Sequence, residues 1–278
     1  MGRLLSSRMM SSADAIPDDL TRALASTLTE RGVFGARLFY FTETGSTNDL
    51  AAAAADRGEP EGTTFVAGAQ TAGRGRLGRA WFSPPGAGLY VSTIIRRSSI
   101  APWIALAAGV AVADGIRAAT GLPVQIKWPN DVVTAGSFRA RRKIAGILAE
   151  ASTGPSGVDR VVVGVGLNVR STAYPPELAD RATAIEVELG RRVDVGLVLA
   201  RVLARLNGVL EELTNAGPPT LVRRWLDLAP SAYGAPIEWH AAGGPRRGIT
   251  AGLAEDGALL ARTDEGIERI VAGEIRWA

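Results

Sequence analysis

The texture of the chain changes once, at Pro230, and that change sets the architecture it can adopt. Before it, strand-like and helix-like segments follow one another; after it, only short strand-like runs occur between glycine-rich turns. Leu20, Leu24 and Leu28 recur at helical spacing, so Pro17 to Arg31 reads as one amphipathic helix ended by Gly32. Arg37 to Thr42 is strand-like. Asn48 to Arg57 reads as an alanine-rich helix, with Ser46 or Thr47 as its N-cap and Gly58 past its end. Further strands are expected at 63–69, 88–96, 124–127, 144–151 and 161–169, and further helices at 102–120, 194–214 and 220–228. Beyond Pro230, the runs Pro236–Trp239, Arg247–Leu253, Ala258–Ala261 and Arg269–Val271 are separated by Gly-Gly-Pro, Asp-Gly and Glu-Gly turn signals. The expected organisation is a disordered extension over 1–16, a mixed α/β domain over 17–229 and a small β-barrel over 230–278.

Composition narrows the chemistry. The chain has no cysteine and one histidine, His240, and its three methionines all fall in the first ten residues. A disulfide framework, a thiol nucleophile and a thiolate zinc site are excluded, as are multi-histidine metal sites. Catalysis is left to arginine, lysine, carboxylates, hydroxyls, amides and backbone N–H groups. A net charge of only +3 does not demand nucleic acid as a partner. The most apolar stretch, Ala101 to Val112, is interrupted by Pro102, Trp103 and Gly109, so no membrane span is expected. The arginine- and serine-bearing start lacks a secretory apolar core; it reads as a loose tail or as sequence ahead of a start at Met9 or Met10. The expected location is the cytoplasm.

Gly73 to Arg79 (GRGRLGR) formally matches the dinucleotide pattern GxGxxG. That version needs a helix opening on the last glycine and an acid about 20 residues on. Ala80-Trp81-Phe82-Ser83-Pro84-Pro85 follows instead, and no acidic residue occurs from Gly62 to Ala113. What remains is a glycine-rich loop whose Arg74, Arg76 and Arg79 nothing neutralises locally. It reads either as a solvated basic loop or as a set of guanidinium forks for carboxylate or phosphate.

Of 31 basic residues, all but Lys127 and Lys143 are arginine. Where lysine drifts freely to arginine, a surviving lysine marks a place that needs a compact ammonium, or else survives by chance. Lys127 opens KWPND (127–131) and Lys143 opens KIAGIL (143–148), each at a strand boundary.

Thr44-Gly45-Ser46-Thr47-Asn48, then Gln70-Thr71-Ala72 leading into GRGRLGR, then KWPND, KIAGIL and Gly164-Val165-Gly166-Leu167-Asn168-Val169 occur in one fixed order. With these blocks the chain resembles the biotin–protein ligases from about Phe41 to Trp277. The resemblance implies an α+β fold: a mixed-sheet catalytic domain of the biotin/lipoate ligase, class II synthetase-like type, followed by a small SH3-like β-barrel. It implies an enzyme that converts biotin and ATP, with magnesium, to biotinyl-5′-adenylate. The biotin then passes to a lysine of a biotin carboxyl carrier domain on a biotin-dependent carboxylase. Such displacement at phosphorus runs on positioning and placed positive charge, so it needs neither histidine nor cysteine.

The roles below follow from that resemblance. Ser46, Thr47, Asn48 and Gln70 hold biotin, its ureido head meeting Ser46, Thr47 and Gln70. Arg74 and Arg76 clamp its carboxylate and the ATP phosphates, with Gly73 and Gly146 allowing close approach. Lys143 sits between the carboxylate and the α-phosphate. Arg79, Trp81, Lys127, Asn130, Asp131 and Asn168 form the nucleotide side. Asp131 is either a base or orienting group for the acceptor amine, or an Asx-turn residue behind Pro129. Metal ligands are unassigned.

Two departures stand out. The gap from Asp131 to Lys143 is several residues longer than the resemblance implies and strongly basic, and its 134–142 segment is expected to protrude as a loop. About forty residues precede the first block, so a winged-helix domain, and with it sequence-specific DNA binding, is not expected; the form expected is a monomer or weak homodimer. A lipoate or octanoate ligase of the same fold is the nearest alternative activity. An arginine-rich nucleic-acid-binding protein is a more distant one, since no aromatic platform interleaves the charges.

Overall fold

In the computed structural model, which describes residues 13–137, 140–154, 157–172, 174–241 and 243–278, seven strands form one mixed sheet. They are β1 (Leu38–Phe41), β2 (Thr64–Ala67), β3 (Gly88–Ile95), β4 (Val124–Lys127), β5 (Asp131–Thr134), β6 (Lys143–Gly154) and β7 (Gly157–Asn168), in the order β1-β2-β3-β7-β6-β5-β4. Only β1 and β2 pair in parallel. The helix between them, Thr47–Asp56, supplies the crossover that a parallel pair requires.

Alternation along the strands sorts residues between the two faces. Val66, Val91, Val161, Val163 and Ile147 point into the larger core, whereas Phe65, Tyr90, Ile94 and Val162 point to the opposite side. The larger core is covered by two long helices, Ile104–Thr120 and Val195–Ala216. On the other face the alanines of Thr47–Asp56 lie directly on the sheet, because Ala51, Ala54 and Ala55 present almost no bulk.

Several expectations change. The helix expected over 17–31 breaks at Thr27 into Asp18–Ser26 and Leu28–Arg31, and the Thr27 hydroxyl contacts the Leu24 carbonyl at 3.3 Å at the break. The expected extension over 1–16 falls mainly on residues 1–12, outside the described residues. Asp14, however, is tied to β1, its N–H donating to the Tyr40 carbonyl at 2.8 Å and its carboxylate accepting from the Thr42 N–H at 2.6 Å. The helix expected over 102–120 is present as Ile104–Thr120 and follows directly on a 3-10 segment, Ser98–Trp103; the combined stretch, Pro102, Trp103 and Gly109 included, is long and apolar enough to cross a membrane by length and composition. Two-thirds of its most apolar window (67%) is nevertheless buried inside the protein, as in a core helix.

The residues after Pro230 form a five-stranded antiparallel sheet: β8 (Tyr233–Ala241), β9 (Gly244–Leu253), β10 (Leu259–Thr263), β11 (Gly266–Ile270) and β12 (Ile275–Trp277), ordered β11-β10-β9-β8-β12. Trp128, from KWPND, donates its indole N–H to the Gly257 carbonyl at 3.1 Å and so fastens this sheet to the larger one.

Gly115 marks where the two long helices touch. A Cβ there would lie 2.7 Å from the Cα of Val202 and 2.9 Å from its backbone N, atoms that cannot turn aside. Gly115→Ala gains helix propensity of about 1 kcal/mol but overpacks a contact worth about 1–3 kcal/mol. The expected outcome is a net loss of stability, read as a lower denaturation midpoint with unchanged slope.

Candidate active site

Three glycines make the floor. Gly146 on β6 pairs with Gly166 on β7, and Gly164 lies one pleat away opposite Leu148. The indole of Trp81 rests on this floor: a Cβ on Gly146 would come within 2.8 Å of Trp81 Cζ3, and one on Gly166 would overlap the ring. Asn48 fills the space over Gly164 in the same way. Above the floor opens a cavity of about 760 Å³, within the roughly 300–1,000 Å³ of ordinary small-molecule sites. Ser46, Thr47, Asn48, Gln70, Arg74, Arg76, Arg79, Trp81, Lys127, Asn130, Asp131, Lys143, Gly146 and Asn168 all line it. Of the expected site residues, Gly73 alone sits behind the wall, where a Cβ would lie 2.6 Å from the Trp81 carbonyl oxygen.

The glycine-arginine loop, between β2 and β3, doubles back on itself. Trp81 N–H donates to the Gly73 carbonyl at 2.8 Å and Gly75 N–H to the Arg79 carbonyl at 2.7 Å. The tip turns through Leu77, whose φ of 56° is left-handed, at a cost of about 1–2 kcal/mol for an L-residue.

The arginines of this loop are not left unneutralised, as the local sequence suggests. Arg74 grips Glu150 with both terminal nitrogens at 2.7 Å and meets Asp49 at 2.8 Å. Arg79 grips Glu274, on the turn before β12, at 2.8 and 2.5 Å. Arg76 is different: it faces the cavity, with a 3.3 Å hydrogen bond to Asn130 Oδ1, and burial works against its charge. Burial alone would push the Glu150 carboxyl up, but hydrogen bonds from Arg74 and Asn48 and the Arg74 charge hold it below its ordinary value. Glu274 is likewise lowered, first by its hydrogen bond from Arg79.

A polar chain runs from Glu150 beneath the loop. Asn48 Nδ2 donates to Glu150 Oε2 at 2.8 Å, and Ser92 donates to Asn48 Oδ1 at 2.5 Å while standing 2.8 Å from Thr47 Oγ1. Thr47 donates to Gln70 Oε1 through its N–H at 2.9 Å and through its hydroxyl at 3.1 Å. Gln70 Nε2 then donates to Ser83, whose hydroxyl donates to the Trp81 carbonyl, each at 3.0 Å. Asn48 is therefore spent on positioning, and Gln70 gives its Oε1 and one amide hydrogen to this chain of bonds.

Lys143 has its ammonium 2.6 Å from Asp131 Oδ1 and 4.9 Å from the centroid of the Trp81 ring. Asp131 begins β5, which the sequence reading left inside the loop, and its carboxylate is committed to this lysine. The Lys143 backbone is stapled by the Arg181 carbonyl, the Thr183 N–H and the Asn168 amide, at 2.8, 3.0 and 3.4 Å. The 134–142 segment does not simply protrude: Arg141 reaches the cavity wall beside Trp277. Its residues 138–139 lie outside the described residues. Trp81 Nε1, Tyr174 Oη and Arg141 Nη1, donors at the cavity, are buried without a hydrogen-bond partner among the described residues. The sequence reading missed Glu150, Glu274, Ser92, Tyr174, Arg181 and Trp277. Only Glu150 carried a signal, standing at period two from Gly146 and Leu148 on the same face.

Residues 39–168 match the biotin/lipoate A/B protein ligase family, and residues 242–276 match the biotin protein ligase C-terminal domain. The chain is 34% identical over 248 residues to the bifunctional ligase/repressor BirA of Bacillus spizizenii, covering 87% of this chain and 74% of that protein. It is 36% identical over 206 residues to the biotin–[acetyl-CoA-carboxylase] ligase of Mycobacterium tuberculosis, covering 71% of this chain and 73% of the other. Among solved structures, the biotin protein ligase from Aquifex aeolicus in complex with biotin and ATP superposes with a TM-score of 0.74 at 30% identity, covering 87% of this chain and all (100%) of that one.

The Glu150 latch is testable without any ligand. Its lowered carboxyl contributes stability above the unfolded glutamate value of about 4.3 and loses it as pH falls through the lower folded value. Amide protection over residues 74–80, corrected for intrinsic exchange rate, is expected to hold from pH 7 to about 5 in the wild type. Glu150→Gln should lose it across that whole range.

Proposed function

The chain belongs to the biotin/lipoate A/B protein ligase family, among its biotin protein ligases, and we infer from the site how its residues carry that chemistry. It is an ATP-dependent ligase that converts biotin and ATP to biotinyl-5′-AMP and pyrophosphate, then transfers biotin to a lysine of a carrier domain on a biotin-dependent carboxylase.

In the first step a biotin carboxylate oxygen bonds to the α-phosphorus while the bond to the pyrophosphate oxygen breaks. The carboxylate is already the nucleophile, so no base is required. The observation that carries the reading is the convergence of Lys143, Arg76 and Lys127 over a glycine floor, in a cavity of ligand size. Lys143 takes the place between carboxylate and α-phosphate, its stapled backbone and the Trp81 face fixing where the ammonium stands. Preorganised charge of this kind is commonly the largest catalytic contribution. Arg76 is the first clamp, because Arg74 can reach a ligand only by giving up Glu150.

Ser46, Thr47, Asn48 and Gln70 surround the biotin end, with Gly73 and Gly146 leaving room for it. Arg79, Trp81, Lys127, Asn130, Asp131 and Asn168 lie towards the nucleotide. In the second step the carrier amine attacks the biotinyl carbonyl carbon, AMP leaves, and the amine gives up a proton. Asp131, on giving up its ion pair with Lys143, is the carboxylate to orient that amine or receive the proton.

No group of three or more histidine, cysteine, aspartate or glutamate side chains suited to holding a metal occurs among the described residues. Magnesium would be carried on the nucleotide phosphates, whose charge it would neutralise, with the side-chain oxygens of Asn130 and Asp131, both in the cavity wall, as the groups that would help hold it. The reading extends to action as a monomer or weak homodimer.

Biotin-dependent exchange of pyrophosphate into ATP by purified protein is the test. Exchange with lipoate or octanoate but not biotin would overturn the substrate assignment. Lys143→Arg should lower the exchange rate on the order of 100-fold, since a planar fork cannot replace a point charge. Arg76→Gly should form the adenylate but release it into solution, measured as free biotinyl-5′-AMP.

A further inference from the structure

We propose that Arg141, with Trp277 and Lys127, forms a subsite for the β- and γ-phosphoryl groups of the nucleotide, and so for the departing pyrophosphate; this rests on the ligase reading above. Arg141 belongs to the 134–142 segment, between the KWPND and KIAGIL blocks of the site. Rather than extending into solvent, its guanidinium folds back: Nε donates to the Gly136 carbonyl at 3.0 Å, and Cζ stands 5.8 Å from the centroid of the Trp277 ring. Lys127 Nζ lies 5.5 Å from the same centroid. Two cations are thus gathered at one indole, whose π face attracts each of them but does not cancel their mutual repulsion.

Asp131 and Glu274 favour the Lys127 charge from across the cavity, and Asp180 also lines its wall, but the first two are each ion-paired with another cation. Asp131 holds Lys143 at 2.6 Å, and Glu274 holds Arg79 at 2.5 Å. Burial works against the charge of both Lys127 and Arg141. Arg141 Nη1 is buried and has no hydrogen-bond partner among the described residues. Both residues and Trp277 line the cavity that holds Lys143. The missing ingredient is several acceptor oxygens carrying more than one negative charge. A single carboxylate would answer one cation; a polyphosphate answers both, presenting paired oxygens to the guanidinium fork and a second phosphoryl group to the ammonium.

The test uses the full chain carrying Arg141→Ala or Arg141→Lys. For Arg141→Ala, KM for ATP and the inhibition constant for inorganic pyrophosphate should each rise about tenfold, with KM for biotin unchanged. Arg141→Lys should fall between Arg141→Ala and wild type, keeping the charge but losing the fork. Transfer from preformed biotinyl-5′-AMP to a carrier domain should proceed at the wild-type rate in both variants. Unchanged ATP and pyrophosphate constants would overturn the subsite, and so would a defect confined to carrier transfer, which would place Arg141 at the acceptor. Thermal melting checks folding; should Arg141→Ala fail to fold, Arg141→Lys and Trp277→Phe are read by the same constants. A wild-type chain without biotin-dependent exchange would overturn the ligase reading itself, whereas active wild type with indifferent Arg141 variants overturns the subsite alone.

Discussion

The absence of side chains at Gly146, Gly164 and Gly166 is the constraint on which the rest of the site depends. Strand β7 and its partner β6 could carry any β-branched residue there for the sheet's own sake, as Val162 and Val163 show one pleat away. Bare backbone lets an indole and an amide lie flat on the sheet instead. Trp81 and Asn48 occupy that surface, and each brings a segment with it: Trp81 the returning limb of the glycine-arginine loop, Asn48 the start of the helix Thr47–Asp56. The cavity is the volume left between the two.

Charge is arranged around that volume by distance rather than by sequence. The loop supplies cations without a single neighbouring acid, and acids 76 and 195 residues away complete it: Glu150 for Arg74 and Glu274 for Arg79. These two carboxylates fasten the limbs of the loop to the two different sheets. Arg76, between them, is in no ion pair among the described residues, feels Asp131 and Glu274 only from a distance, and faces the cavity. One loop thereby holds both ion-paired and cavity-facing guanidinium groups, distinguished by what the fold places opposite each.

This explains what could be read from sequence. The strands 88–96 and 124–127 were legible because periodicity is local, and so were KWPND and KIAGIL as chemical blocks. Glu150 as the partner of Arg74 was not, since nothing local relates residues on different elements. Strand β5 was hidden because Val132-Val133-Thr134 is too short to be told from a turn. The helix break at Thr27 was invisible to a leucine pattern that continues through it to Leu28. Arg141 was misplaced for a related reason: a basic insertion reads as solvated unless something apolar waits for it, and Trp277 lies in the last strand. Asp131 was left open between a turn and a chemical role, and the lysine that engages it stands across the β5–β6 pair.

Both lysines of the chain lie in the walls of one cavity, one ion-paired and one beside an indole, while the remaining basic residues are guanidinium groups. Amine chemistry on this protein is therefore confined by composition. Reagents that acylate side-chain amines have no external lysine to consume them, and the lysines they can modify lie within this cavity. Beyond the N-terminal amine, an amine-selective label becomes, for this chain, a probe of whether that cavity is open or filled.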